Sequence, residues 1–420
     1  MKTVIVNGSP QGNDSITLYT MLYIEKNFPE IEFEILNPGR QIRKMEQDFT
    51  ACRASLEGAD LIIFCYPVYT FLVPSQLHRF IELMKENNVN VAGKTATQVT
   101  TSLHFYDITA HRFIEENCRD LGLKYVRGLS ADMEDLLKEK GRKEALDFFM
   151  FVLWNMGQKE TSSNTHKVAL VADLTGDDGT LKAMIDRFME QDGMEVTFTD
   201  IAEFEFAGGC LGCFNCAADG KCIYKDGFDS FLREHIQSAD ATVYAFTIKD
   251  HSMGYRFKVF DDRQFCNGHR TVTMGKPVGY LVSGDLEKEE NLKTLIESRA
   301  QVGGNFLAGV AVSGPEADAG IDTLAATLKY ALEHDYQPPA NFYGIGGMKI
   351  FRDLIYQMRG LMKADHKFYK EHGFYDFPQK RKGRIIGMYA VGALMRNKKL
   401  KKKMGGRMTE GMIMPYKKVL

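Results

Sequence analysis

The sequence predicts an α/β protein made of two tandem, doubly wound parallel sheets followed by a mainly helical C-terminal extension. Three observations carry this expectation. Short apolar runs alternate with amphipathic segments of helix length, the pattern of strands buried on both faces by crossover helices. The alternation restarts at "KVALVADLTGDDGT" with its elements in the same order, a divergent repeat at the scale of a domain. Strand-like runs then cease after about residue 336. The 420 residues suffice for two ordinary domains. The boundaries expected are 1–160 and 166–335, with 336–420 as a basic extension packed on the second domain.

In the first half, Lys2 to Asn7 read as a strand that runs into a Gly-Ser-Pro turn and a helix starting near Ser15. "FEIL" and "LIIFCYP" are the next two strands, the second a short apolar run closed by a proline. Pro74 opens the helix "VPSQLHRFIELMKE". "TATQVTTS", the helical "ITAHRFIEENCRDLG" and the strand "KYVRGLS" complete the unit, and residues 131–160 read as largely helical. In the second half, "KVALVAD", "MEVTFTDI", "DATVYAFTI", "KPVGYLVSG" and "FLAGVAVSG" are the strands, with helices between them.

With 44% apolar and 26% charged residues, the composition is that of a soluble globular protein. A net charge of -2 argues against a nucleic-acid binder. The start "MKTVIVNGSPQGNDS" does not read as a signal peptide, and no segment has the length and apolarity of a membrane span. A cytoplasmic location is therefore expected, where reducing conditions disfavour disulfides. The lysine-rich stretch centred on "RNKKLKKKMGG" reads as a solvated terminus, and peripheral membrane contact through it is not expected. Docking of an acidic ferredoxin-like carrier is the other role open to it.

"NGSPQGNDSIT" joins a strand to a helix, where backbone N–H groups and the helix dipole converge on one point. Ser9, Ser15 and Thr17 add hydroxyls there, and neither GK[ST] nor GxGxxG is present. An ordinary turn with an N-cap explains the residues equally well. "YPVYTFLVPSQL" follows the third strand, where open α/β sheets bind ligands, and "TTSLHFYD" follows the next one. His104 reads more readily as a packing or hydrogen-bonding histidine than as a proton donor.

These segments resemble the flavodoxin-like, NAD(P)H-dependent FMN reductase family, "GSPQGNDSIT" as its phosphate loop and "PVYTFLVPSQL" as its flavin-facing segment. The resemblance implies that Ser9, Ser15 and Thr17 hold the FMN phosphate. It implies that Pro67, Val68, Tyr69 and Thr70 line the isoalloxazine, and that Thr101, Ser102 and His104 contribute the third flavin loop. Gln11 stands where the family usually has a basic residue.

"GGCLGCFNCAADGKC" places Cys210, Cys213, Cys216 and Cys222 at the spacing C-x2-C-x2-C-x5-C. Thiolates suit iron-sulfur clusters or zinc, and a closely spaced triplet with a fourth cysteine favours [4Fe-4S] over zinc sites, which usually pair their cysteines across a longer loop. A structural zinc site and a reactive or structural thiol loop remain the alternatives. The loop also resembles the compact cluster motif of iron-sulfur flavoproteins, in which the cluster exchanges electrons with FMN. Cys52, Cys65, Cys118 and Cys266 are scattered and read as ordinary cysteines.

The second half departs from the flavin pattern. "ADLTGDDGT" sets Asp173, Asp177 and Asp178 where a phosphate would sit, and "FTIKDHSMGYRFKVFDDR" replaces the proline-containing wall. The expected protein is an oxidoreductase using FMN and a [4Fe-4S] cluster. It would move electrons between NAD(P)H or a ferredoxin-like carrier and an unidentified small-molecule or protein acceptor, and the resemblance implies a homo-oligomer. A non-enzymatic electron carrier or redox sensor, and an FMN reductase with structural zinc, are the competing classes. No side chain is nominated as a catalytic acid or base.

Overall fold

The computed structural model describes residues 1–157, 165–395 and 407–420. The lysine-rich run at 396–406 lies outside the described residues. The chain forms two units, Met1–Glu160 together with Phe377–Leu420, and Thr161–Asp376.

The first unit is built on β1 (Lys2–Asn7), β2 (Glu32–Leu36), β3 (Leu61–Pro67), β4 (Thr95–Ser102), β5 (Lys124–Tyr125) and β6 (Leu129–Asp132). The order is β2-β1-β3-β4-β5, with β6 also on β4, and every pairing is parallel. Val4, Ile5 and Val6 of β1 and Ile62, Ile63 and Phe64 of β3 are buried on both faces, which is why these strands read as unbroken apolar runs. "KYVRGLS" does not form one strand. Gly128 interrupts it where a Cβ would stand 2.5 Å from the Gln98 carbonyl oxygen, so β5 and β6 pair with β4 as separate pieces.

The second unit carries β7 (His166–Ala172), β8 (Met194–Asp200), β9 (Ala241–Thr247), β10 (Val278–Ser283) and β11 (Leu307–Val312). Its order, β11-β10-β9-β7-β8, is the first unit's order read from the other edge. Both units are therefore flavodoxin-like, with the order 2-1-3-4-5 and a switch point between the first and third strands of each sheet.

The extension is divided between the units instead of packing on one. The helices Phe342–Gln357 and Lys363–Glu371 belong to the second unit, where Ile355, Met362 and Tyr369 share a small core with Ala217 of the cysteine loop. The helix Arg407–Lys417 belongs to the first, where Ile413 and Tyr416 pack on Tyr19 and Leu136 and the Tyr416 hydroxyl donates to the Met133 carbonyl at 2.7 Å. The apolar spacing of each helix fits a core, but spacing does not say which core.

The first βα turn depends on a close backbone approach. Gly39, in the helix Pro38–Met45, would carry a Cβ 1.9 Å from the Ser9 carbonyl oxygen. Replacing Gly39 by Ala is expected to destabilise the first unit by about 1–3 kcal/mol, the usual cost of overpacking. Urea unfolding followed by circular dichroism checks this, and an unchanged midpoint would contradict it.

Candidate functional site

A cleft of the first unit lies at the C-terminal ends of β1, β3 and β4. Asn7 holds its first loop from within the core. The Asn7 side-chain amide donates to the Gly12 carbonyl at 3.0 Å, and its oxygen accepts from the Ser9 N–H at 3.2 Å. Gly12 takes the left-handed conformation at φ +60° and Ser15 caps the helix Ile16–Asn27. Ser15 reaches only the Leu18 N–H, at 3.4 Å. The first N–H groups of this helix have no intrahelical acceptor, so the turn offers donors to an anion. Arg40 lies over the same loop and donates to the Gln11 carbonyl at 3.4 Å, setting a cation beside the position where Gln11 lacks one.

The second loop is a tight turn. Tyr69 and Leu72 exchange backbone hydrogen bonds of 2.8 and 3.0 Å across Thr70 and Phe71, whose φ values are +47° and +69°. A β-branched threonine in that region costs about 1–3 kcal/mol and persists only where the surroundings enforce it. The third loop, after β4, projects Leu103 and Phe105 outward, and Phe71, Phe105 and Tyr106 form an exposed aromatic group with centroids 5.1–5.3 Å apart.

Together the three loops enclose a cleft of about 540 Å³. Ser9, Ser15, Thr17, Pro67, Val68, Tyr69, Thr70, Thr101 and Ser102 all line it. At its base the Thr17 and Thr101 hydroxyls are hydrogen-bonded at 2.6 Å. His104 is not among the lining residues. Its buried Nδ1 lies 3.0 Å from the buried Asp107 carboxylate, which also accepts from the Ser130 hydroxyl at 2.6 Å. That carboxylate draws the imidazole under the loop, so His104 shapes the third loop from behind. Met133, Met412 and Ile413 line the cleft as well. No local pattern points to Met412 and Ile413, because their place depends on the last helix returning to the first unit, and Met133 follows β6, a strand that the sequence pattern merges with β5.

The equivalent turn of the second unit keeps the backbone and fills the site. Asp177 accepts from the Leu181 and Lys182 N–H groups at 3.0 Å each, and Asp178 accepts from the Thr180 N–H at 3.0 Å. Those are the first three residues of the helix Thr180–Met189, so the chain's own carboxylates occupy the donors a phosphate would use. The tight turn recurs too: Lys249 and Ser252 exchange bonds of 2.9 Å across Asp250 and His251 at φ +49° and +60°. Its Lys249 ammonium bonds the Thr175 carbonyl of the first loop. His251 and Tyr255 are exposed, His251 meeting Glu289, while Arg256 donates to the Ala202 carbonyl at 3.3 Å.

Cys210, Cys213, Cys216 and Cys222 line one small cavity of about 110 Å³, together with Cys266, Arg263 and His269. Among the described residues, no group of three or more His, Cys, Asp or Glu side chains is gathered around a single ion. Left-handed turns at Gly212, Phe214 and Gly220 curl the loop. Its outer side is fixed by Arg270, which donates to the Cys216 carbonyl at 3.1 Å and to the buried Asp365 at 2.7 Å. Asp365 also accepts from the His269 N–H at 3.1 Å. The Cys266 thiol is buried and pushed up to about 12 by desolvation, so it stays neutral.

Arg263 ends the helix Tyr255–Arg263 and is only 1% exposed. It forms a two-pronged pair with Asp226, both bonds 2.8 Å, donates to the Gly208 carbonyl at 2.9 Å, and lies 4.4 Å over the Tyr224 ring. Its Nε has no hydrogen-bond partner among the described residues, and Cys222 lies near enough to interact with the guanidinium. Nothing in the local sequence points to this pair, since an arginine at the end of a helix usually faces solvent.

Comparison with known proteins falls on the geometry of the first cleft. Residues 1–109 match the NADPH-dependent FMN reductase family. That FMN reductase match contains all three cleft loops, and it stops short of the cysteine loop. An iron-sulfur flavoprotein of Archaeoglobus fulgidus is 27% identical over 208 residues, covering 47% of this chain and 94% of the relative. An FMN-dependent NADH-azoreductase from Bacillus anthracis is 14% identical over 35% of this chain and 96% of its own, with a TM-score of 0.29. An NADPH-quinone reductase from P. pentosaceus is 15% identical over 38% of this chain and 100% of its own, with a TM-score of 0.30.

The Arg263 charge holds the Asp226 carboxyl down at about 2. A carboxyl depressed on folding contributes stability that is complete above its unfolded value near 4 and is lost as pH falls through the folded one. Asp226→Asn is expected to cost the second unit on the order of 2 kcal/mol at neutral pH. The gap to wild type should narrow between about pH 4 and pH 2. Denaturation at a series of pH values reads this, and a gap independent of pH would contradict it. In the first unit, Ile413→Asp is expected to detach the last helix and raise the Kd for added FMN at least about tenfold, about 1.4 kcal/mol, as read by flavin fluorescence quenching.

Proposed function

We propose that this protein is a flavin oxidoreductase. It binds FMN in the cleft of its first unit and a [4Fe-4S] cluster on the four cysteines of its second, and it passes electrons from NAD(P)H or a ferredoxin-like carrier to a small-molecule or protein acceptor. The observation that carries the reading is the three-loop cleft at the first switch point, where a polar turn with free helix N–H groups faces an apolar wall. Bound there, FMN supplies two-electron and one-electron chemistry, and the cluster supplies one-electron steps.

The chain's own residues bind, orient and exclude water. Ser9, Ser15 and Thr17 would hold the phosphate with the helix N-terminus, and the Thr17–Thr101 pair fixes the floor of the cleft. The rigid turn at Tyr69 to Leu72 would set the ring plane, while Phe71 and Phe105 would shield it and leave room for an acceptor. That room favours an enzyme over a pure electron carrier. No second FMN is proposed, because Asp177 and Asp178 already satisfy the matching donors.

For the cluster, the support is the common cavity of the four thiols and the chemistry of the loop. The closely spaced C-x2-C-x2-C triplet with a fourth cysteine suits one thiolate per iron, whereas zinc sites usually pair their cysteines across a longer loop. Arg263 would offset the negative charge of the thiolates from inside the fold.

Cys213→Ser is expected to abolish the broad visible absorbance of a reconstituted cluster and to leave flavin binding intact. Cluster absorbance retained in that variant would contradict the proposed ligation. Thr17→Val together with Ser15→Ala is expected to weaken FMN at least about tenfold, or about 1.4 kcal/mol, with the cluster unaffected. Flavin affinity unchanged in that variant would contradict the phosphate site.

A further inference from the structure

The helix Lys382–Met395 is the exposed apolar segment that neither cofactor site absorbs. Ile386 is 67% exposed, Met388 62% and Tyr389 78%, and Ile385 and Val391 are exposed beside them. A helix this apolar belongs in a core or in lipid, and Gly383, Gly387 and Gly392 give it little intrinsic stability in water. Its charges have one sign. From residue 377 to residue 409 the sequence contains eleven Lys and Arg and no Asp or Glu. The helix is held at its start, where Arg384 pairs with Glu134 at 2.6 Å.

From this combination we infer that the helix Lys382–Met395 docks the protein on an anionic lipid surface. Apolar side chains would enter the acyl boundary, Tyr389 would sit at headgroup level, and the exposed Lys380, Arg381 and Lys382 at the helix start would meet anionic headgroups, so the contact is carried by this helix and not by the lysine-rich run that the sequence alone reads as solvated. The helix has 14 residues, about 21 Å at 1.5 Å per residue, which is too short to cross a hydrocarbon core of about 30 Å. No helix among the described residues is long and apolar enough to span. The contact is therefore peripheral. An acidic soluble partner or a nucleic acid would satisfy the charge and leave the isoleucines and Tyr389 in water. A second copy of the segment would bring like charges together.

The test is cosedimentation of the full chain with vesicles of phosphatidylcholine alone or mixed equally with phosphatidylglycerol, at low and high salt. The expected result is binding to the anionic vesicles only, weakened by salt. The double variant Ile386→Asp/Tyr389→Asp should bind at least about tenfold more weakly, with its circular dichroism unchanged because both side chains face solvent. Binding by the double variant equal to wild type would overturn the inference, since the cations alone would then suffice. Absence of wild-type binding to anionic vesicles at low salt would also overturn it, and retention of such a protein on RNA would reassign the segment to a soluble polyanion.

Discussion

The backbone donors at the start of the first helix in each unit decide what that unit can hold. In the first unit the loop from Asn7 to Ser15 is braced by side-chain amides and a close approach at Gly39, and the helix start keeps donors to offer. In the second, Asp177 and Asp178 satisfy the N–H groups of Thr180, Leu181 and Lys182. A bound phosphate would have to displace two carboxylates and meet their charge as well. One fold thus keeps helix N–H donors open in one copy and satisfies them in the other, through a handful of side chains.

The second copy also repeats the tight turn of the first. Asp250 and His251 take the same left-handed turn as Thr70 and Phe71, with the same paired backbone bonds on either side. Aspartate carries that conformation more easily than threonine does. The turn there presents Lys249 to the first loop instead of an apolar wall to a ring. The strained turn recurs at the same place in both units. The second scaffold carries the cysteine loop, clamped by Arg270 and Asp365 on one side and by the Arg263–Asp226 pair on the other.

The fold was legible in the sequence because the central strands β1, β3, β7 and β10 are buried along most of their length and read as apolar runs, while the half-exposed β2 and β8 read by their place in the alternation. Nine lining residues of the first cleft were legible because each stands just after a strand or at a helix start. His104 was legible as a loop residue and not as a cleft residue, since its direction is set by Asp107 and Ser130, the latter 26 residues away. Met412, Ile413 and Arg263 were out of reach for a related reason. Each owes its role to a contact between distant segments, and nothing in the local pattern announces such a contact. Splitting of the extension between the two units has the same origin, because amphipathic spacing reports a buried face and says nothing about the surface that covers it.

Cofactor content decides between these readings: the protein is purified without oxygen, and FMN, iron, acid-labile sulfide and zinc are determined per chain. About one FMN with roughly four iron and four sulfide is expected. Zinc without sulfide, persisting after anaerobic reconstitution with iron and sulfide, would contradict the cluster and leave a flavin reductase with a structural metal. Two FMN per chain would contradict the closed turn of the second unit.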